Sequence, residues 1–168
     1  SYPDKENFGR TKMDISNQVL IDSLKKQYAS FPAGIVKFHG ALYHEANKNE
    51  ELAKDLANWL LEAKVTTVIL PEGSCLIKHL SDKNINTLYE GFIERGYQLN
   101  GDKLELIPRG NPGANIENVS EAVSQAKLLK NQQIKINGNI YPIRIDTICI
   151  HSDSNIALPL AKSLHEQL

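Results

Sequence analysis

Lys37-Phe38-His39-Gly40-Ala41-Leu42-Tyr43 is the stretch on which the fold turns. Before it, Gly34-Ile35-Val36 is an apolar run that predicts a short buried strand. After it, Leu52, Leu56, Trp59, Leu60 and Ala63 recur at helical spacing and predict a helix over Lys48 to Ala63. Side chains alternate along a strand, so Lys37 and His39 leave the backbone on the same face. Gly40 then lets the chain turn or approach a ligand closely. A cation and an imidazole therefore stand at the carboxyl end of a strand, where α/β sheets and barrels collect their sites.

Outward from this stretch, helical and apolar segments alternate. Ser16 is a suitable N-cap for a helix whose stripe is Leu20, Leu24, Tyr28 and Phe31, and Pro32-Ala33-Gly34 ends it. Glu50 and Lys54, four apart, add about 0.3 kcal/mol to the next helix. Val65 to Leu70 is β-branched and apolar and reads as a buried parallel strand. A short helix over Glu72 to Leu80 and a strand over Ile85 to Tyr89, closing at Glu90, follow. Tyr97 to Leu106 reads as a hairpin with a type I′ turn at Asn100-Gly101, and Gln133 to Ile145 gives a second hairpin signal around Asn137-Gly138. Arg109 to Asn115 is a loop rich in Gly, Asn and Pro. Val119, Ala122, Val123, Ala126 and Leu129 mark a helix. Ile143 to Ile150 is a strand ending at His151, and Ile156, Leu160, Leu164 and Leu168 mark the last helix. The fold class is α/β, mostly parallel strands with two inserted β-hairpins, in one domain over residues 1–168. The unpaired edges of an open parallel sheet lead us to expect a homo-oligomer or a loss of stability.

Composition narrows the function. A hydrophobic fraction of 41% and a charged fraction of 23% suit a globular domain, and a net charge of -1 gives no basic surface for nucleic acid or anionic membrane. No apolar run approaches the roughly 20 residues of a membrane helix. Ser1 to Arg10 is polar rather than signal-like, and Cys75 and Cys149, far apart and in apolar company, are expected to be buried free thiols. A cytoplasmic protein is expected.

Three clusters could carry chemistry. His151-Ser152-Asp153 follows a strand and precedes a helix. His151 and Asp153 could be a base with its carboxylate or two ligands of a divalent metal, or Asp153 or Ser152 could simply cap the helix. Lys37 and His39 form the second cluster, with a snorkelling lysine and a turn-capping histidine as the plain alternative. In the third, Glu90 could act as acid or base and Arg95 could hold a carboxylate in two bonds, with Tyr97 beside them, or Glu90 and Arg95 could be an ordinary surface pair. Arg109 is a candidate anion contact or a solvated loop charge. The chain has no Walker loop, CxxC, HExxH or GxSxG.

Lys-x-His-Gly-Ala-Leu-Tyr resembles the KPHGALY signature of the LamB/YcsF family, the 5-oxoprolinase A subunits. Ser1-Tyr2-Pro3-Asp4, Phe8-Gly9-Arg10, Glu90-Gly91-Phe92 with Arg95 and Tyr97, Pro108-Arg109, Pro112-Gly113-Ala114 and Cys149-Ile150-His151-Ser152-Asp153 follow in the family's order. The family usually has Pro where Phe38 stands and Gly where Ser152 stands, and it begins with motifs that are not in this sequence, so an N-terminally truncated chain is expected. The resemblance implies part of a distorted (β/α) barrel. It also implies ATP-dependent hydrolysis of 5-oxoproline to glutamate, with 5-oxoprolinase subunits B and C as partners. Under it Lys37, His39, His151 and Asp153 would be catalytic, with His39 or His151 as base, Asp153 orienting it and Lys37 offsetting negative charge. Glu90, Arg95, Tyr97 and Arg109 would bind the substrate. Two other readings stand beside this one. The first is a metal-dependent hydrolase of the carbohydrate-deacetylase barrel type with His39, His151 and Asp153 as ligands. The second is a non-catalytic fragment or binding module.

Overall fold

The computed structural model describes residues 15–167. The expectations for Ser1 to Asp4, Phe8 to Arg10 and Leu168 lie outside these residues. The chain divides into two compact units, Ser1–Leu88 and Tyr89–Leu168.

The first unit is built on helix–strand alternation. Helix α1 (Asn17–Ser30) starts where Ser16 Oγ accepts the amide of Val19. It buries Ile21, with Leu20, Leu24 and Tyr28 of the expected stripe half-buried, whereas Phe31 is 84% exposed. Strand β1 (Ile35–Lys37) pairs in parallel with β2 (Thr67–Leu70), Lys37 opposite Ile69. The expectation of a buried β1 fails. Among the described residues the strand pairs with β2 alone, and Ile35 is 56% exposed. The helix expected over Lys48 to Ala63 is α3 (Glu50–Glu62), which starts where the Asn49 side chain accepts the amide of Leu52, and a further helix, α2 (Gly40–Lys48), precedes it. Gly40 opens α2 at φ +61°, the left-handed value expected of a turning glycine. Phe38 is buried against Trp59 with ring centroids 6.4 Å apart. Leu52, Leu56 and Leu60 of α3, with Val68, Leu70, Leu76 and Leu80, complete this core. Each fully buried leucine contributes about 1.5–3 kcal/mol. Glu50 bonds His79 at 2.8 Å, so the expected partner Lys54 is replaced by a residue of helix α4 (Leu76–Ser81).

Strand β3 (Asn86–Phe92) begins in the first unit, where the Asn86 amide donates to Thr66. It continues into the second unit, where Glu90–Phe92 pair in parallel with Thr147–Cys149. Those three residues are all of β8. Strand β8 (Thr147–Cys149) is shorter than the apolar run because the Asp146 carboxylate takes the Tyr89 amide at 2.9 Å and the Arg144 guanidinium covers the Tyr89 ring at 4.3 Å. Hairpin β4–β5 (Tyr97–Asn100, Lys103–Leu106) turns one residue later than expected. Only Gly101 has positive φ, the type II′ pattern. Hairpin β6–β7 (Gln133–Ile136, Asn139–Pro142) turns on Asn137 and Gly138, both at positive φ, as type I′ requires. Helix α5 (Val119–Lys130) is capped by Asn118, and helix α6 is Ala157–Gln167. Their inner faces close the second core over Ile93, Ile134, Ile136, Leu129, Leu160 and Leu164. The expected class, α/β with parallel pairing and two hairpins, is the observed one.

Candidate functional site

The second unit holds a pocket of about 140 Å³. It lies where β3 and β8 end, and local hydrogen bonds explain why its walls are fixed. Ile93 is fully buried in the core, which anchors the turn after β3. The Gln125 side-chain amide donates to the carbonyls of Phe92 and Arg95 at 2.8 Å and of Ile93 at 3.3 Å. On the other side, Ile116 N donates to Glu94 O, Gly96 N to Ala114 O and Ile107 N to Gly96 O. Arg95, itself 3% exposed, donates from Nε to Ala114 O at 2.8 Å and from Nη2 to Ile107 O at 2.7 Å. The turn is thus tied to the Pro-Gly loop that carries Arg109.

Because β8 runs beside β3, the chain after Cys149 brings His151 next to Phe92 and Glu94. The His151 amide donates to Glu94 Oε1 at 3.0 Å, and the ring Nδ1 meets the same oxygen. The ring lies nearly parallel to Phe92, 9° apart with centroids 5.4 Å apart. The Glu94 side chain is 5% exposed and that of His151 30%. Burial pushes the Glu94 carboxyl up, but the hydrogen bonds from the His151 ring and amide, with the charge of His151, more than reverse this. Its pKa falls below the usual glutamate range. Glu94 Oε2 is buried with no hydrogen-bond partner among the described residues.

This shift fixes a pH dependence. The folded pKa lies below the unfolded one, so the stabilisation is present above about pH 4.3, the ordinary glutamate value, and is lost as pH falls through the lower folded value. In urea unfolding between about pH 5 and pH 3, the midpoint of the second unit should fall more steeply in the unmodified chain than in Glu94→Gln. Parallel curves would contradict it.

Six of the eight residues singled out by sequence lie in the second unit. Arg95, Arg109, His151 and Asp153 line the pocket. Glu90 and Arg95 are both buried, at 3% each, so they are not a surface pair. Glu90 sits on β3, and Tyr97 Oη accepts the amide of Phe92 at 2.8 Å. Burial, then the nearby Glu90 and Glu94 carboxylates, pushes the Tyr97 hydroxyl well above its usual range, so it stays neutral. His151 Nδ1 is met by Glu94, a residue the sequence reading did not single out. The other two, Lys37 and His39, belong to the first unit. Lys37 closes β1, and His39 is the N-cap of α2, where its side chain makes no capping hydrogen bond.

Glu94 escaped the sequence reading. It sits in Phe92-Ile93-Glu94-Arg95-Gly96, which has no periodicity, although its place just past a strand's carboxyl end is a signal in itself. Among the described residues, no three His, Cys, Asp or Glu side chains gather closely enough to hold a metal ion. No helix among them is long and apolar enough to cross a membrane.

Comparison with known proteins supplies the remaining observations. The model of the LamB/YcsF family matches residues 1–168. The 5-oxoprolinase A subunit of Haemophilus influenzae (strain PittEE) is 33% identical over 180 residues, spanning 100% of this chain and 72% of that protein. That of Carboxydothermus hydrogenoformans is 33% identical over 179 residues, spanning 99% of this chain and 68% of its own. The crystal structure of a lactam utilization protein from Thermus thermophilus superposes with a TM-score of 0.77 at 25% identity, over 98% of this chain and 70% of that one.

Proposed function

Because the chain belongs to the LamB/YcsF family, we propose that it acts as the A subunit of a 5-oxoprolinase, opening the lactam of 5-oxoproline to glutamate with ATP as co-substrate. The names of its relatives support the substrate class. The observation that carries the reading is the His151–Glu94 pair on a pocket also lined by Arg109 and Asp153. At about 140 Å³ the pocket is well below the roughly 300–1,000 Å³ of drug-sized sites, which suits a one-ring metabolite.

An unstrained lactam resists water, so the ring must be activated. Transfer of a phosphoryl group from ATP to the lactam oxygen makes the ring carbon electrophilic. Water then adds there while His151 takes its proton. The ring C–N bond breaks, and the nitrogen gains a proton to become the amine of glutamate. A second water releases the phosphate from the resulting acyl phosphate. In this reading Arg109 holds the substrate carboxylate and Asp153 lines the reacting end. The nucleotide, in this reading, is handled together with subunits B and C.

The test is calorimetry of 5-oxoproline with and without Mg-ATP, and turnover once subunits B and C are added. Arg109→Gln is expected to raise KM for 5-oxoproline by about 10-fold or more, as loss of a charged hydrogen bond predicts, with less change in kcat. No heat and no turnover in the unmodified protein would overturn the reading. An unchanged KM would remove Arg109 from it.

A further inference from the structure

We propose that Glu94 is the positioning residue of this site, holding the single proton of the neutral His151 ring on Nδ1 so that Nε2 is the ring's proton acceptor. The inference rests on the reading above for what His151 does, but its own basis is geometric. Glu94 Oε1 already accepts the His151 amide, so that oxygen serves as an acceptor, and a nitrogen meeting it from the ring must bring the proton. The same residue supplies both donors, so the carboxylate fixes the His151 backbone and ring together. Phe92 fixes the ring plane. Nδ1 is turned inward against a side chain 5% exposed, and the ring keeps 30% of its own surface open, which leaves Nε2 as the nitrogen available to a ligand.

The second carboxylate oxygen strengthens the case. A buried carboxylate present only for stability would have both oxygens satisfied, because an orphaned buried acceptor costs about 1–3 kcal/mol. Glu94 Oε2 is buried with no partner among the described residues. The charge is retained at a cost, and the group facing it is His151. During water addition Nε2 takes the proton, the ring becomes an imidazolium, and Glu94 offsets the new charge without itself taking the proton.

Nitrogen-15 NMR of the full chain with labelled histidine tests this at alkaline pH, where a neutral ring carries one proton. The His151 signals are assigned by their loss in His151→Gln. The expected spectrum shows Nδ1 protonated and Nε2 bare; a ring protonated on Nε2 overturns the proposal, with no Glu94 variant needed. Glu94→Met keeps the length and loses the acceptor, and it should move the proton to Nε2. Glu94→Asp should restore part of the Nδ1-protonated form. A proton that stays on Nδ1 in Glu94→Met also overturns the proposal. In the assembled enzyme Glu94→Met is expected to lower kcat about 100-fold with little change in KM. If the unmodified assembly lacks 5-oxoprolinase activity, the proposed function fails while the NMR result still decides the role of Glu94.

Discussion

Replacing His151 by glutamine is expected to lower kcat for 5-oxoproline hydrolysis by about 10²- to 10⁴-fold in the enzyme assembled with subunits B and C, the range for loss of a positioned general base. KM should change far less, because the substrate carboxylate is assigned to Arg109. The backbone amide of residue 151 still donates to Glu94 Oε1, and the glutamine side chain can reach the same oxygen. Far-ultraviolet circular dichroism and the unfolding midpoint should therefore stay close to those of the unmodified protein. Loss of turnover with an intact fold separates chemistry from structure. Retention of full turnover would transfer the base to His39, the other imidazole at a strand end, or remove histidine from the reaction.

Gly96→Ala is expected to destabilise the second unit by about 3 kcal/mol or more, beyond the usual cost of overpacking. A Cβ at position 96 would lie 1.9 Å from the carbonyl oxygen of Gly113 and 3.1 Å from its carbon. Both atoms are backbone, so no rotamer change relieves the clash. The two segments are also stitched at this point, through Gly96 N to Ala114 O and Ile107 N to Gly96 O. Moving Gly113 away would break those bonds and pull the Arg95 guanidinium from Ala114 O. Urea unfolding followed by tyrosine fluorescence would read the loss, since Tyr97 and Tyr141 both pack against this core. A midpoint within experimental scatter of the parent would mean the loop shifts without cost. In that case 5-oxoproline binding should also survive.

How much was legible follows from which interactions are local. The Asn137-Gly138 turn was readable because its φ angles are set by those two residues alone. Asn100-Gly101 carries the same dipeptide, yet its turn slides by one residue. There the cross-strand pairs Tyr97–Leu106 and Leu99–Leu104 set the register. Helix α3 was readable from its apolar spacing, whereas α2 and the cap signal that separates the two, Asn49 followed by two glutamates, went unread. The site was half visible. His151, Asp153 and Arg109 announce themselves by residue type at a strand end or in a loop. The partner of His151 does not, because Glu94 is 57 residues away and reaches it only through the parallel pairing of β3 with β8. Arg95 was visible as a cation. That its donors go to loop carbonyls is a long-range fact that the local sequence cannot encode.

Position 125 should be among the least mutable in this gene. Its side-chain nitrogen faces the carbonyl oxygens of Phe92, Ile93 and Arg95 together. A single base change in either glutamine codon can give Glu, Lys, Leu, Arg, Pro or His. Glu would set a negative charge against three oxygens, Leu would leave them without a donor, and Pro would break α5. Lys and Arg offer donors on stems too long for the same spot. A lineage that drifts here would therefore lose the rigid turn bearing Glu94 before it changed any residue of the pocket wall.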